Sequence, residues 1–401
     1  MAVRTLIPIA EARERVLAHA EPLDSECVHV EDSLGRVLAV PVAARGHVPP
    51  FGCSAMDGYA IEAGPAGRKL TLVGESRAGA PSGRTLGAGE AIRISTGAAV
   101  PIGASAVVRQ EDVEAREDAI ETNVEVREGE HIRRAGEDLR AGATVLEAGT
   151  RLGTAELGTA VGAGVAELTV ARRPRVAVIC TGDELRAPGE PLGPGEIHNS
   201  NAIMLATLAT RAGALVTPAE RLRDDRASTE AAFAASLADA DLLVVSGGVS
   251  VGPHDHVKPA LSVLGVEERF WGVALQPGKP TWFGTRDRRL VFGLPGNPVS
   301  AVVTFALFVW PALLALQGAA ASLAQPPSAE LAVAVKRSRH REQALRVRLE
   351  QREGRTVAVP NGGQQSHLVS SLLGAAALAM IPPGEGELEA GSTVTLSPLP
   401  N

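Results

Sequence analysis

The chain has 401 residues, 45% of them hydrophobic and 21% charged, with a net charge of −7. At roughly 150 residues per domain this predicts several domains with separate cores and excludes a lone small module or global disorder. The acidic balance gives no overall field to draw nucleic acid or an anionic membrane, and 3% aromatic residues are too few for base-stacking platforms.

Residues 1–20 read as an amphipathic helix entered at Pro8, with no basic, apolar and small-residue leader. From 42 to 142 short strands alternate with Gly, Pro and Asp turns, at 69–73, 91–95, 106–110 and 121–126, which predicts an all-β module. Residues 152–170 are expected to form a helix, and Arg172-Arg173-Pro174 a linker. A strand at 175–179, helix at 199–212, strand at 214–217, helix at 226–238 and strand at 241–245 then alternate, predicting a parallel sheet with helices on both faces. The strand at 289–293 leads into Asn297-Pro298 and an apolar stretch at 299–316. Its Pro311 and Gln317 argue for a helix buried between layers against a membrane span. Beyond Gln325-Pro326-Pro327, strands at 331–336, 344–350, 356–359 and 393–396 predict a second, smaller β domain.

The three cysteines, Cys27, Cys53 and Cys180, share no metal-like spacing and suit a reducing cytoplasm, with Cys180 read as a buried hydrophobe. Only four of the 39 cations are Lys; Lys69 and Lys336 read as surface strand residues, whereas Lys258 and Lys279 lie beside glycine-rich loops.

In an open α/β sheet ligands bind beyond the carboxyl ends of the strands. The loops there are Thr181-Gly182-Asp183-Glu184, Asp224-Asp225, 246–255, Gln276-Pro277-Gly278-Lys279-Pro280 and 293–298. Gly247 and Gly248 can turn successive amides one way and cradle a phosphate. Acids beside such an anion nest favour a bridging Mg²⁺ at Glu184 or Asp255. The string Gly248-Val249-Ser250-Val251-Gly252 also fits a nucleophile elbow, and a serine hydrolase using Ser250 is the alternative, although Pro253 and an acidic loop follow it. No Walker-A loop is present, because Pro280 follows Gly278-Lys279. His254 and His256 could pair on zinc, but loop histidines so close read as solvated.

Together these strings resemble the MoeA-type molybdopterin molybdenumtransferases, related to the C-terminal domain of gephyrin. The resemblance rests on Ser54-Ala55-Met56-Asp57-Gly58-Tyr59, Gly136-Glu137-Asp138, Thr181 to Glu184, the run 246–252, Pro277 to Pro280, the run 293–298 and Gln365-Ser366-His367. It implies a central doubly wound, MogA-like α/β domain at 174–322 and an inserted all-β module at 44–142. A small linking domain (25–43 and 143–173), a C-terminal β domain at 323–401 and an N-terminal helix (1–24) packed on the α/β domain complete the chain. It further implies a cytoplasmic homodimer with an intersubunit site and a molybdopterin adenylyltransferase as partner. The reaction implied is Mg²⁺-dependent insertion of molybdate into adenylated molybdopterin with release of AMP. On this resemblance Glu184 and Asp255 hold Mg²⁺ with Asp224 nearby, and Gly247, Gly248 and Ser250 cradle the phosphate or pterin. Lys279, Ser300, Arg346 and Ser366 surround the oxyanion beside Pro280 and Asn297, and Asp57, Thr96 and Asp138 cross from the partner subunit. Gly272 and Gln276 stand neutral where many relatives carry Lys or Arg. A non-catalytic scaffold on the same fold is the other alternative; it should have lost the acids and Lys279, yet Asp57, Asp138, Glu184, Asp255 and Lys279 are all present.

Overall fold

Alternate residues of neighbouring strands face two different cores, which places one sheet between helical layers. Val176, Val178, Leu242, Val244, Leu290 and Phe292 point to one side, and Ala177, Ile179, Leu243, Val245 and Val291 to the other. These residues belong to a computed structural model that describes residues 5–218, 220–223, 225–248, 256–320 and 326–400. The strands Leu215–Val216, Arg175–Thr181, Leu242–Ser246 and Arg289–Leu294 lie side by side and parallel, with Glu220–Leu222 also on Arg175–Thr181.

The sheet then continues in the opposite sense. Trp282–Arg286 and Glu267–Trp271 add antiparallel strands at one edge, so the expected parallel sheet is mixed. The physical reason is the connection: Asp287, at φ 54°, and Arg288 close a two-residue turn, and so short a link can join only antiparallel neighbours. The helix Ser200–Arg211 and the run Pro298–Leu316 cover the first face; Arg226–Asp239 and Val257–Val263 cover the second.

Pro298–Leu316 passes the length and apolarity of a membrane span, yet 78% of its most apolar window is buried inside the protein. It is a core helix, as its interruptions suggested. Its middle, Phe305–Val309, widens into a π turn. Pro311 has no N–H to return to residue 307 and its ring would crowd that carbonyl, which the wider turn relieves.

The N-terminal helix is shorter than its periodicity suggested, Ile9–Leu17, and buries Ala12 and Val16 in the first core. The expected helix at 152–170 is Thr154–Gly162 followed by the strand Glu167–Ala171. Gly164, at φ 82°, stops the helix in the left-handed region, and Glu167–Ala171 pairs antiparallel with Ser25–His29. Segments flanking the β module are thereby stitched together. Within that module six strands run in the order Ala106–Arg109, Gly58–Ile61, Glu90–Ile94, Lys69–Ser76, Ala119–Thr122 and Val113–Ala115. The strand expected at 121–126 sits at Ala119–Thr122, and that expected at 331–336 divides into Ser328–Leu331 and Val335–Lys336.

In the C-terminal part Glu342–Arg352, Arg355–Pro360, Ser328–Leu331, Thr393–Pro398 and Ala377–Ile381 pair in sequence and close back on Glu342–Arg352. Leu275–Gln276, from the α/β domain, adds itself parallel to the start of Glu342–Arg352. Backbone pairing thus holds two domains together beside the loop that carries Lys279.

One ion pair fastens the linker to the central sheet. Arg172 Nη1 and Nη2 donate to Asp241, at 2.7 and 2.8 Å, and the Arg175 amide donates to the same carboxylate at 2.8 Å. Burial raises the Asp241 pKa, but the Arg172 and Arg175 bonds together outweigh it and hold the carboxyl below its ordinary 3.8. A carboxylate with a depressed folded pKa stabilises above the unfolded value and loses that contribution as pH falls through the folded one. Asp241→Asn is therefore expected to destabilise the protein by about 2–4 kcal/mol at pH 7. The gap between wild type and variant in urea midpoints should narrow below pH 3.8.

Candidate active site

Two turns meet beyond the carboxyl ends of the parallel strands, and one asparagine clips them together. Asn201 Nδ2 donates to Ser246 Oγ (2.9 Å) and to the Gly296 carbonyl (2.8 Å), bringing the 246–248 and 293–297 turns together. Gly247 and Gly248 are at φ 93° and 62°. A Cβ on Gly247 would stand 2.6 Å from the Thr181 carbonyl, and one on Gly248 would stand 2.6 Å from Val257 Cγ2. Both positions need glycine for conformation and for space. The Thr181 hydroxyl beside them is buried without a hydrogen-bond partner among the described residues.

Next to this pair of turns lies a cleft of about 670 Å³ between the α/β domain and the C-terminal β domain. It is lined by Lys279, Pro280, Asn297 and Ser300 on one side and by Arg341, Arg346, Gln364 and Ser366 on the other. The walls touch: Asn297 Nδ2 donates to Ser366 Oγ at 3.0 Å, and the Val299 amide donates to the Ser366 carbonyl at 3.1 Å. Below Lys279, Thr281 Oγ1 donates to the Gly278 carbonyl at 2.6 Å, and the Val273 amide donates to the Lys279 carbonyl at 3.0 Å. The exposed Lys279 ammonium is thus carried on a fixed turn.

Arg346 is the unusual member. It is 0% exposed, in the middle of Glu342–Arg352. Its Nε donates to Ser371 Oγ (3.2 Å) and its Nη2 to the carbonyls of Gly363 (3.0 Å) and Gln365 (3.3 Å). Nη1 is buried with no partner among the described residues. Burial pulls its pKa down to about 10, so the group is still a cation near neutrality. A guanidinium held in the wall of a cleft suits an oxyanion.

Six residues anticipated from the sequence, Lys279, Pro280, Asn297, Ser300, Arg346 and Ser366, therefore share one cleft. Gly247 and Gly248 adjoin it: a Cβ on Gly296 would lie 3.7 Å from Gly247 Cα. Glu184 is exposed on the first loop, its carbonyl accepting from the Ile197 amide at 2.9 Å. Asp57, Thr96 and Asp138 do not line the cleft. They lie exposed on the β module, where Thr96 donates its amide (2.7 Å) and hydroxyl (3.2 Å) to Asp57 Oδ1. Asp224, Ser250 and Asp255, and with them the elbow string beyond Gly248 and His254, fall outside the described residues. Cys180 is buried as expected, its thiol pushed up to about 11 by desolvation. Asn201, Arg341 and Gln364 went unnoticed in the sequence, although Gln364 adjoins the Gln365-Ser366-His367 string.

Three family models divide the chain: "MoeA N-terminal region (domain I and II)" over 7–164, "Probable molybdopterin binding domain" over 177–315 and "MoeA C-terminal region (domain IV)" over 328–399. The molybdopterin molybdenumtransferase of Haemophilus influenzae is 36% identical over 400 residues, covering 98% of both chains. The chain belongs to the MoeA family of molybdopterin molybdenumtransferases. Molybdopterin molybdenumtransferase 2 of Mycobacterium tuberculosis is 39% identical over 382 residues, covering 91% of this chain and 93% of its own. A molybdopterin biosynthesis moeA protein from Pyrococcus horikoshii OT3 superposes with a TM-score of 0.83 at 28% identity, over 98% of this chain and all of its own. The MoeA assignment makes the chain an enzyme of molybdenum cofactor biosynthesis.

The MoeA frame also explains a departure. Gly272, one of the neutral positions, is at φ 88°, and a Cβ there would meet Leu6 Cδ2 at 2.8 Å. A long cation is sterically unwelcome at that point in this chain. As for Mg²⁺, no group of three or more His, Cys, Asp or Glu gathers among the described residues. Mg²⁺ commonly keeps waters and takes one or two carboxylates plus substrate phosphates. The exposed carboxylate of Glu184, on the loop after Arg175–Thr181, fits that pattern.

Proposed function

We propose that the cleft inserts molybdate into the dithiolene of adenylated molybdopterin with release of AMP. The observation that carries this reading is the cleft itself, whose lining residues include Lys279, Arg341 and the buried Arg346 and no carboxylate. Lys279 and Arg346 would bind and orient the oxyanion, with Ser300 and Ser366 as hydroxyl donors. The Gly247–Gly248 turn and the unpartnered Thr181 hydroxyl would hold the phosphate end. Both substrates are anions, so fixed cations must offset their repulsion, and a closed site must keep water from the adenylate.

Mg²⁺ would be held at Glu184, with Asp255 and Asp224 as further donors, and supplies neutralising charge at the phosphate oxygens. Asp57, Thr96 and Asp138 would come from the partner subunit of a homodimer, because they do not line the cleft of their own chain. A molybdopterin adenylyltransferase would deliver the substrate in the cytoplasm. The test is AMP release and pterin metallation by the purified protein, with and without molybdate and Mg²⁺. Molybdate-dependent release supports the transfer reaction; tight adenylate binding without release supports a scaffold instead. Lys279→Ala is expected to raise the molybdate concentration giving half-maximal metallation by about tenfold, the loss of one charge-assisted contact. An unchanged molybdate response would place the oxyanion elsewhere.

A further inference from the structure

We propose that Arg341 is an oxyanion-binding residue of this cleft, engaging a tetrahedral dianion alongside Lys279 and Arg346. The inference rests on the function proposed above and adds a residue that the family resemblance did not supply. The residues lining the cleft include three permanent cations and no carboxylate. In a chain with 46 acidic residues against 39 basic ones, an acid-free wall bearing three cations marks a place for an anion.

Arg341 differs from the other arginines around it. Residues 326–400 contain seven. Arg337 donates to the Glu385 carbonyl, Arg339 pairs with Glu385, Arg348 and Arg352 with Glu350, Arg355 with Glu330, and Arg346 is bonded as described. Arg341 has no ion pair or hydrogen bond among the described residues, yet its backbone is well held. The Glu342 amide donates to the Ala274 carbonyl at 2.9 Å, and Gln343 Oε1 accepts from the Ser338 amide at 2.9 Å. Glu342 and Gln343 also lie in register with Leu275 and Gln276. A spare guanidinium on a pinned backbone offers a planar fork to two oxygens of a tetrahedral anion at little ordering cost.

The approach to it is charged as well. Residues 336–341 read Lys-Arg-Ser-Arg-His-Arg, four permanent cations without an acid, and end at the cleft. Across the strand pairing stands Gln276, which is neutral, so positive charge on this rim comes from the 336–341 side.

Molybdate and a substrate phosphate share this tetrahedral chemistry, and equilibrium dialysis of the full chain separates them: molybdate alone in one arm, adenylated molybdopterin alone in the other. Arg341→Gln is expected to weaken binding about tenfold or more in one arm, with Arg341→Lys recovering part of it because charge returns without the fork. Loss in the molybdate arm assigns the residue to the metal oxyanion, and loss in the adenylate arm assigns it to the phosphate. Wild-type affinity in both arms for Arg341→Gln would overturn the proposal. A wild-type chain that binds neither anion would overturn the proposed function itself, and this inference with it. The half-buried, unpartnered side chain should leave the thermal midpoint of either variant within a few degrees of wild type.

Discussion

Replacing Arg346 with Met is expected to lower molybdate-dependent turnover by about two orders of magnitude or more, while the fold keeps close to its wild-type stability. The two effects separate because the same burial acts on both. Desolvation lowers the Arg346 pKa to about 10, so the folded protein holds a cation in a place that penalises charge. For a base whose pKa falls on folding, stability is reduced at every pH below about 10, and the penalty fades as pH climbs toward the ordinary arginine value. Met fills a similar volume and removes the buried charge, at the cost of the bonds to Ser371, Gly363 and Gln365. These terms oppose one another and leave a small net change. Activity has no such offset, because Arg346 is one of the cations that line the cleft. Turnover and a urea midpoint measured on one preparation check this; a large stability loss with retained turnover would reverse the assignment of Arg346 from site to scaffold.

Gly58→Ala is expected to destabilise the protein by about 3 kcal/mol or more, although it adds one methyl group. A Cβ at this position would stand 1.9 Å from the Val108 carbonyl oxygen and 3.0 Å from Arg109 Cα. Those atoms are backbone of a paired strand, with Gly58 in register with both Arg109 and Ile94, so neither side can step aside without opening the sheet. Asp57 precedes it and accepts the Thr96 bonds, so the shift should also displace that pair. Gly74→Ala is the control, since a Cβ there would meet nothing within 4 Å; its loss should stay below about 1 kcal/mol. Equal urea midpoints for the two variants would refute the steric account.

Much of the cleft was readable before any coordinates, for a reason specific to α/β sheets. Strands buried on both faces leave only their carboxyl-end loops for ligands, so Pro277 to Pro280 and the run 293–298 were found by locating strands and reading what followed. The C-terminal half of the cleft came from the string Gln365-Ser366-His367, through its likeness to a family, not from any pattern of its own. The two antiparallel edge strands were not anticipated, because the alternation of elements says nothing about a two-residue turn, whereas Asp287 at positive φ settles it.

Local pattern, then, was enough for the identity of the layers, the buried Pro298–Leu316 helix and the glycine-rich loops beyond the strands, because each depends on neighbours within a few residues. Contacts across long separations were beyond it. Asn297 meets Ser366 across 69 positions, Asn201 reaches Gly296 across 95, and Arg346 becomes a buried cation with a free nitrogen only once the β domain closes around it. Whether a given arginine is paired or left to face a ligand depends on which carboxylates the folded chain brings near it, and that is why Arg341 looked ordinary in the sequence and stands alone among the described arginines of the C-terminal domain.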